Sequence, residues 1–454
     1  MRKKIVTQTS LFDQAIELLS TIFKPDKKLM IIDKIIESNP SILEEVHFNL
    51  TESVSNTGRI GISAERVLRS AILKQYKRYS YRELRERVQD SMSFRKFTHF
   101  YSDEIPHYTN LQKAIKAING DAWSQINKIL VDYSRCKKIE LGRSLRIDTT
   151  VSECNIAYPV DARLLNDSVR VLSRIMERCR EVIPGLKFNF FKRTKRSKKI
   201  CYKIVMTKGP KAKERRYKLY KELLKVSKEV YRMGVVSSEE LSASPQIEAI
   251  AFYNEVKHYL NLFSMAISQC ERRVLKGEKV PASEKIVSIF EEHTDIIKRG
   301  KSQCPTEFGH KVLFSTGKSG IITQYETFRG NPCDGSMLPD ILTTHEKLYG
   351  QYPKYLAGDR RFFSIDNEKL AYEKGVAKVS ICKPGYRSKD RIEIEKKPWF
   401  KKLQKFRAGI EGIISALMRG YGLKRCLWKG WEAFKSYVGL SVVTFNLQKM
   451  ATLL

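Results

Sequence analysis

The chain predicts an α/β domain that is interrupted after its first strand by a long helical insertion and preceded by an all-α segment. Three observations carry this. Apolar residues follow a helical period up to about residue 140, alternate over 141–151, return to a helical period up to about 305, and alternate again from Gly309. Three acidic segments, Leu145-Arg-Ile-Asp148-Thr-Thr150, Leu356-Ala-Gly-Asp359-Arg-Arg361 and Phe406-Arg-Ala-Gly-Ile-Glu411, put carboxylates at two strand ends and on one helix. The rest of the chain is basic: Lys+Arg 84 against Asp+Glu 50 gives a formal charge of +34 over 454 residues.

In the N-terminal segment, Ser80-Tyr-Arg-Glu83 and Thr109-Asn-Leu-Gln112 read as capping boxes, and Gly120 reads as the end of a helix that starts near Asn110. Val67, Leu68, Ala71, Ile72 and Gln75 share one helical face, and Leu84 and Val88 follow on the next helix. Two helices joined by Lys77-Arg-Tyr-Ser80 resemble a helix-turn-helix. Many helical hairpins have nothing to do with DNA, but Arg82, Arg85 and Arg87 on the second helix favour contact with it.

The strand at 141–151 alternates Leu145, Ile147 and Thr149 with Arg146, Asp148 and Thr150. Helices are expected from Leu164 to Cys179, from Arg215 to Met233 and over Ile247 to Leu275. Lys187 to Lys218 holds Lys192, Arg193, Lys195, Arg196, Lys198 and Lys199, with Phe188, Phe190, Phe191 and Tyr202 interleaved. Basic side chains neutralise phosphates and aromatics stack on unpaired bases. Alternatively, the segment is a solvated loop with its aromatics tucked into the core. From Gly309, His310–Ser315 and Ile321–Phe328 flank Gly317-Lys-Ser-Gly320 and read as a β-hairpin. A helix over Asp340–Tyr349, the Tyr355–Asp359 strand, a helix over Asn367–Lys374, a strand over Ala377–Lys383, the Glu411 helix and an apolar segment, Tyr437–Leu447, complete the chain.

Composition narrows the function. So large a positive excess draws the chain to polyanions. No apolar run could span a bilayer and no signal peptide precedes the helices, so the expected location is intracellular. The nine cysteines, Cys304 among them, form no C-x-x-C pair, which leaves buried reduced thiols as the expectation. The seven histidines include no H-E-x-x-H. Gly317-Lys318-Ser319 lacks the upstream glycine of a phosphate loop, since Val312 stands there. Three separated carboxylates in a strand, strand, helix context suit a two-metal phosphoryl-transfer site, because two Mg²⁺ ions need hard oxygen ligands and several negative charges.

From about Ser63 to the C-terminus, the chain resembles the DDE transposases of prokaryotic insertion sequences. Ile147-Asp-Thr-Thr-Val-Ser-Glu-Cys-Asn-Ile-Ala-Tyr-Pro159 is similar to the family's first-aspartate block, and Asp161 to Arg174 continues it. Phe308-Gly-His-Lys-Val312 and Gly330-Asn-Pro-Cys-Asp334 resemble its central hairpin, and Gly358-Asp-Arg-Arg-Phe-Phe-Ser364 its second-aspartate block. Phe406-Arg-Ala-Gly-Ile-Glu-Gly412 with Gly422-Leu423 resembles the glutamate block, and Ser80-Tyr-Arg-Glu-Leu84 a segment of the N-terminal domain.

The resemblance implies a ribonuclease H-like catalytic domain over 141–151 and 306–454. It also implies a helical DNA-binding domain over 1–140 and a helical insertion over 152–305 with the basic segment 187–218. Asp148, Asp359 and Glu411 would be the catalytic residues and would hold two Mg²⁺ (or Mn²⁺) ions. Arg407, Lys192, Arg193, Lys195, Arg196, Lys198, Lys199, Arg82 and Arg85 would contact DNA, both the transposon ends and the target. The expected assembly is a homodimer in the synaptic complex, in the cytoplasm and associated with the nucleoid, with no membrane partner. Asp334 is the rival for the second aspartate, although Asp in a Gly-Asn-Pro loop commonly serves as a turn former. Gln404 and Met418 stand where the family's Y-x2-R-x3-E-x6-K pattern has tyrosine and lysine, with Arg419 next. Two other readings remain open: a transposase-derived DNA-binding protein without cleavage activity, and a ribonuclease H-like nuclease without strand transfer.

Overall fold

A computed structural model describes residues 2–5, 12–15, 18, 26–52, 61–183, 185–298 and 306–454. The chain divides into two compact units, Met1–Asn155 with Arg299–Leu454, and Ile156–Lys298. Cys304 and the expected domain boundary at 305/306 lie outside the described residues.

Seven helices open the described part of the first unit: α1 (Lys27–Glu37), α2 (Pro40–Thr51), α3 (Ala64–Lys77), α4 (Tyr81–Asp90), α5 (Met92–Thr98), α6 (Tyr108–Ala117) and α7 (Gly120–Cys136). Arg78, at φ 57°, ends α3 in the left-handed conformation, and Ser80 with Glu83 closes the expected capping box of α4. The second expected box does not form. α6 already starts at Tyr108, so Thr109 lies inside its first turn and pairs with His107 Nδ1 at 2.9 Å. Nor does Gly120 end a helix; it is the first residue of α7, whose N-cap Asn119 accepts the Ala122 N–H. Glycine is needed there for space, since a Cβ on Gly120 would lie 2.7 Å from Lys435 Cβ.

Strand β1 (Ser144–Glu153) follows, two residues longer at its C-terminal end than the alternation predicts. The second unit is helical: α8 (Asp161–Val182), α9 (Thr194–Met206), α10 (Ala212–Ala243) and α11 (Ile247–Cys270), the last continued by a π-helical turn over Glu271–Leu275. Its core joins Leu165, Leu172, Ile175, Leu223, Val230, Val256 and Phe263. Phe188 is buried in that core and Phe190 packs against it, whereas Phe191 and Tyr202 are exposed.

The first unit resumes with strands β2 (Thr306–Thr316) and β3 (Ile322–Phe328), helix α12 (Leu338–Tyr349), strand β4 (Tyr355–Gly358), helix α13 (Ile365–Glu373), strand β5 (Lys378–Ile381), and helices α14 (Lys389–Lys396), α15 (Pro398–Gly420) and α16 (Trp431–Leu453). Within this unit the strands run in the order β3–β2–β1–β4–β5. β2 is antiparallel to β3 and to β1, and β1, β4 and β5 are mutually parallel, so the sheet is mixed. Leu145 and Ile147 face a core with Leu338, Ile341, Leu342, Phe362, Val379 and Ile381. The opposite face of β1 departs from simple polar alternation. Arg146, Thr150 and Ser152 are buried there too, because α15 crosses that face and takes the Arg146 guanidinium on its Phe406 carbonyl at 2.9 Å.

The tight turn between β2 and β3 is held by a carboxylate. Buried Glu140 accepts the Ser319 N–H at 2.9 Å and its hydroxyl at 2.6 Å. A carboxylate in that position repels phosphate, which explains why Gly317-Lys-Ser319 is no phosphate loop. The terminal apolar segment is the helix α16, buried nearly all round, and its Asn446 is fully engaged. Asn446 accepts the Ile322 N–H at 2.9 Å and donates to the Ile322 carbonyl and to Asn127, both at 2.8 Å.

His345 of α12 donates its Nε2–H to the Gly142 carbonyl at 2.8 Å, just ahead of β1. Burial pushes its pKa down from the ordinary 6.5 to about 4. The unfolded chain therefore binds a proton that the folded one refuses. Stability from this group is complete above pH 6.5 and declines as pH falls from 6.5 toward 4. In urea unfolding across that window, His345→Gln, which keeps a donor and does not titrate, should flatten the acid limb. An unchanged limb would assign the acid sensitivity to other groups.

Candidate active site

Asp148 and Asp359 are brought together by backbone pairing. In the parallel β1–β4 ladder Ile147 lies opposite Gly358 as the last pair, so the next residue on each side is one of the two aspartates: Asp148 in the middle of β1, which runs on to Glu153, and Asp359 just past the end of β4. Asp359 follows β4 directly, in an extended conformation at the start of a 3₁₀ turn over Arg360–Phe362. Crevices beyond the carboxyl ends of parallel strands are where ligands bind in open α/β sheets. Helix α15 supplies Arg407 and Glu411 one turn apart on the same face. Arg407 bridges the two sides: its Nη2 lies 2.8 Å from Glu411 Oε1 and its Nη1 3.8 Å from Asp148 Oδ2. Asp148 Oδ1 also accepts the Thr149 N–H at 2.7 Å. Asp148, Asp359, Glu411 and Arg407 line one cleft of about 610 Å³.

Asp334 lines the same cleft but is differently placed. It is 4% exposed. Lys311 Nζ donates to its Oδ1 at 2.8 Å, and the Thr149 hydroxyl donates to its Oδ2 at 3.2 Å. Both oxygens are thus engaged and its charge is neutralised. Glu411, in contrast, is 61% exposed at its side chain, open to the cleft.

A clamp on the same face of β1 as Asp148 sets the depth of α15. Arg146 donates to the Phe406 carbonyl at 2.9 Å and to Thr316 Oγ1 at 2.7 Å, and its guanidinium lies over the Phe406 ring. Glycine at 409 makes room for it, since a Cβ there would lie 2.2 Å from Arg146 Nη1. One residue thereby ties β1, β2 and the helix that carries Glu411.

The two departures from the family pattern are resolved locally. Gln404 donates to the Ser380 carbonyl at 2.7 Å and to its hydroxyl at 3.0 Å, pinning α15 to β5. Met418 lines the cleft. Arg419, one position on, turns back along the helix, with Nε 3.0 Å from the hydroxyl of Ser415, itself a cleft residue.

The remaining sequence-derived residues lie elsewhere. In the second unit Lys192 pairs with Glu177 at 2.7 Å, Arg193 with Glu229 at 2.7 Å and Arg196 with Glu222 at 3.1 Å, while Lys195, Lys198 and Lys199 are exposed on α9. On α4 the Arg82 guanidinium covers the Tyr108 ring and Arg85 is half-buried. Sequence reasoning missed Arg361, Lys424, Glu153 and Glu307, all in the cleft, and the partners Lys311 and Arg146. Arg146 was legible only as one more polar position of an alternating strand, and Lys424 stands outside every motif.

Two substitutions test this geometry. Lys311→Met leaves the buried Asp334 carboxylate without its cation and should cost about 3–5 kcal/mol in urea unfolding. A loss no larger than that of an exposed lysine would mean that Asp334 is stabilised otherwise. Gly409→Ala and Arg146→Met should each cost roughly 1–3 kcal/mol through the same clamp. Their combination should therefore fall well short of additive, and strict additivity would refute a shared clamp.

Comparison with known families bears on these observations. A transposase domain (DUF772) model matches residues 17–117, and a transposase DDE domain model matches residues 374–451. No curated protein matches the chain, and no solved structure does. The second match takes in β5 and all of α15, with Arg407 and Glu411. A DDE domain implies a ribonuclease H-like fold, with which the mixed sheet and its helices agree. Its members act on DNA and generally use divalent metal ions. No helix among the described residues is long and apolar enough to cross a membrane. One transposase model on its N-terminal helices and the DDE model on its C-terminal segment together support a DDE transposase of the insertion-sequence type.

Proposed function

We propose that this chain cleaves DNA at the ends of an insertion sequence and joins those ends to target DNA, with Asp148, Asp359 and Glu411 as its catalytic carboxylates. The observation that carries the reading is the pairing of Ile147 with Gly358, which sets the two aspartates side by side on the cleft that Glu411 and Arg407 also line. Carboxylate oxygens are hard ligands, and the open Glu411 side chain on the cleft of the two aspartates fits Mg²⁺ or Mn²⁺, in the two-ion arrangement expected for this chemistry. Bound there, the ions would supply an activated attacking oxygen and offset charge on the phosphate undergoing substitution.

The protein's own part is to position and hold. Water attacks the end phosphodiester, leaving a 3′-hydroxyl and a 5′-phosphate. The 3′-hydroxyl then attacks a target phosphodiester, forming one P–O bond and breaking another. No side chain is needed as a covalent nucleophile. Arg407 holds Glu411 and Asp148 in register and can release a guanidinium N–H to a backbone phosphate. Arg361 and Lys424 line the same cleft and draw the strand into it. We assign residues 1–140 and the basic segment 187–218 to DNA binding and 141–151 with 306–454 to catalysis. A homodimer would hold both ends at once, on chromosomal DNA in a prokaryotic cytoplasm.

A second reading, DNA binding without cleavage, is favoured by Met418, an uncharged thioether in the cleft where the family pattern has lysine. One experiment separates the two. Asp148→Asn, Asp359→Asn and Glu411→Gln should each abolish cleavage of end DNA in Mg²⁺ while leaving its binding nearly unchanged. Undiminished cleavage by any variant would remove that residue from the assignment, and no cleavage by the wild type would leave the binding reading. For the insertion segment, replacing Lys195, Arg196, Lys198 and Lys199 with Ala should flatten the dependence of log K on log salt by about one unit per lost phosphate contact. An unchanged slope would place DNA contact outside that segment.

A further inference from the structure

A second cavity, of about 430 Å³, lies within the first unit, away from the carboxylate cleft. It is walled by α3, the α3–α4 turn, α6, the 421–428 segment and α16. Lys74 and Lys116 both face it, each half-buried. The Lys74 ammonium lies 4.9 Å from the Tyr81 ring centroid and that of Lys116 5.5 Å from the Trp428 centroid.

The other partly buried cations of α3 are paired. Arg66 meets Asp103, Arg69 meets Asp33 and Glu65, and Lys77 meets Asp26. Among the described residues Lys74 and Lys116 make no ion pair. The one acidic side chain at the cavity, Glu83, is committed to its capping box, where Oε2 accepts the Ser80 N–H at 2.7 Å. Burial, with Lys116 as the second cause, pushes the Lys74 pKa down to about 8. Burial likewise lowers that of Lys116, and Lys429 adds to the effect. Two partly desolvated ammonium groups, facing one space and lacking a carboxylate, form an arrangement that an anion relieves. Arg78 and Gln112 line the same space and add donors to it.

We propose that this cavity is a phosphate-binding site, with Lys74 and Lys116 as the paired cations and Gln112 and Arg78 as further donors. The phosphate belongs either to the backbone of a bound DNA strand or to a small free anion. The DNA source rests on the reading of this chain as a DNA-processing enzyme; binding of free phosphate does not. The aromatic walls of Tyr81 and Trp428 orient the ammonium groups and exclude water behind them.

The test uses the full chain and inorganic phosphate, followed by calorimetry, with no cleavage step. Wild type and Lys113→Met, a change at an exposed lysine of α6, should bind phosphate alike. Lys74→Met and Lys116→Met should each weaken it by about tenfold or more, the scale of one lost charge-assisted hydrogen bond. Both remove an unpaired, half-buried charge, so thermal unfolding should not fall. If it does for Lys74→Met, Lys116→Gln provides the same comparison with a donor retained. Phosphate binding unaltered in the double variant, or undetectable in wild type, would overturn the proposal. A second arm measures duplex binding against salt. A slope reduced by about one unit in the double variant identifies a DNA backbone phosphate, whereas lost phosphate binding with an unchanged slope identifies a free anion. Free-phosphate binding is read with no cleavage step, which keeps the result independent of the catalytic assignment.

Discussion

The cleft depends on the hydrogen-bond register between β1 and β4. Parallel ladders have fixed steps, and a slip of one residue would turn every side chain of a strand to the other face. With Ile147 opposite Gly358, the two aspartates that follow this last pair line the cleft with α15, while Leu145, Ile147 and Leu356 fill the core beneath α12 and α13. The same register that buries the core therefore presents the carboxylates. Apolar burial holds the pairing in place, and the acidic pair persists because moving it would expose that core.

Helix α15 brings the third carboxylate; Phe400, Ile410, Ile413 and Leu417 bury its apolar seam, and polar side chains fix its position further. Arg146 reaches through the space left by Gly409 to a helix carbonyl. Gln404 fixes the same helix to β5. At the end of β5, Arg391 meets Glu368 and Glu395 and donates to the Ile381 carbonyl. Arg146 and Arg391 are tolerated there because they donate to partners of defined geometry, and removing one partner leaves a charge that water reaches poorly. Such fittings favour a single placement over many near-equivalent ones.

The formal charge of +34 is accordingly spent in two ways. Part of it is absorbed within the protein, as in Lys311 with Asp334 and Arg193 with Glu229. The rest stays uncompensated at particular places, on α9 at Lys195, Lys198 and Lys199 and in the cavity at Lys74 and Lys116. Uncompensated positive charge attracts phosphates over distances set by salt, so its placement matters more than its total.

Periodicity alone determined the helical N-terminal segment, the β-hairpin, the strand–helix–strand order that follows it and the long helices of the second unit, because those patterns repeat within a few residues. The carboxylates Asp148, Asp359 and Glu411 stood out for a similar local reason, each after a short apolar run or on a helix face, although β1 runs on past Asp148 to Glu153. Caps were less legible: Ser80 and Glu83 matched their rule, whereas Thr109 lost its place to a helix that began earlier, and Gly120 was chosen for room beside Lys435 rather than to end a helix. Tertiary structure alone decided that both faces of β1 are buried, that Lys311 neutralises Asp334, that Glu140 closes the hairpin turn and that Lys74 and Lys116 share a cavity. Each of these joins residues far apart in the chain, and a pairing of that kind leaves no period in the sequence from which it could be read.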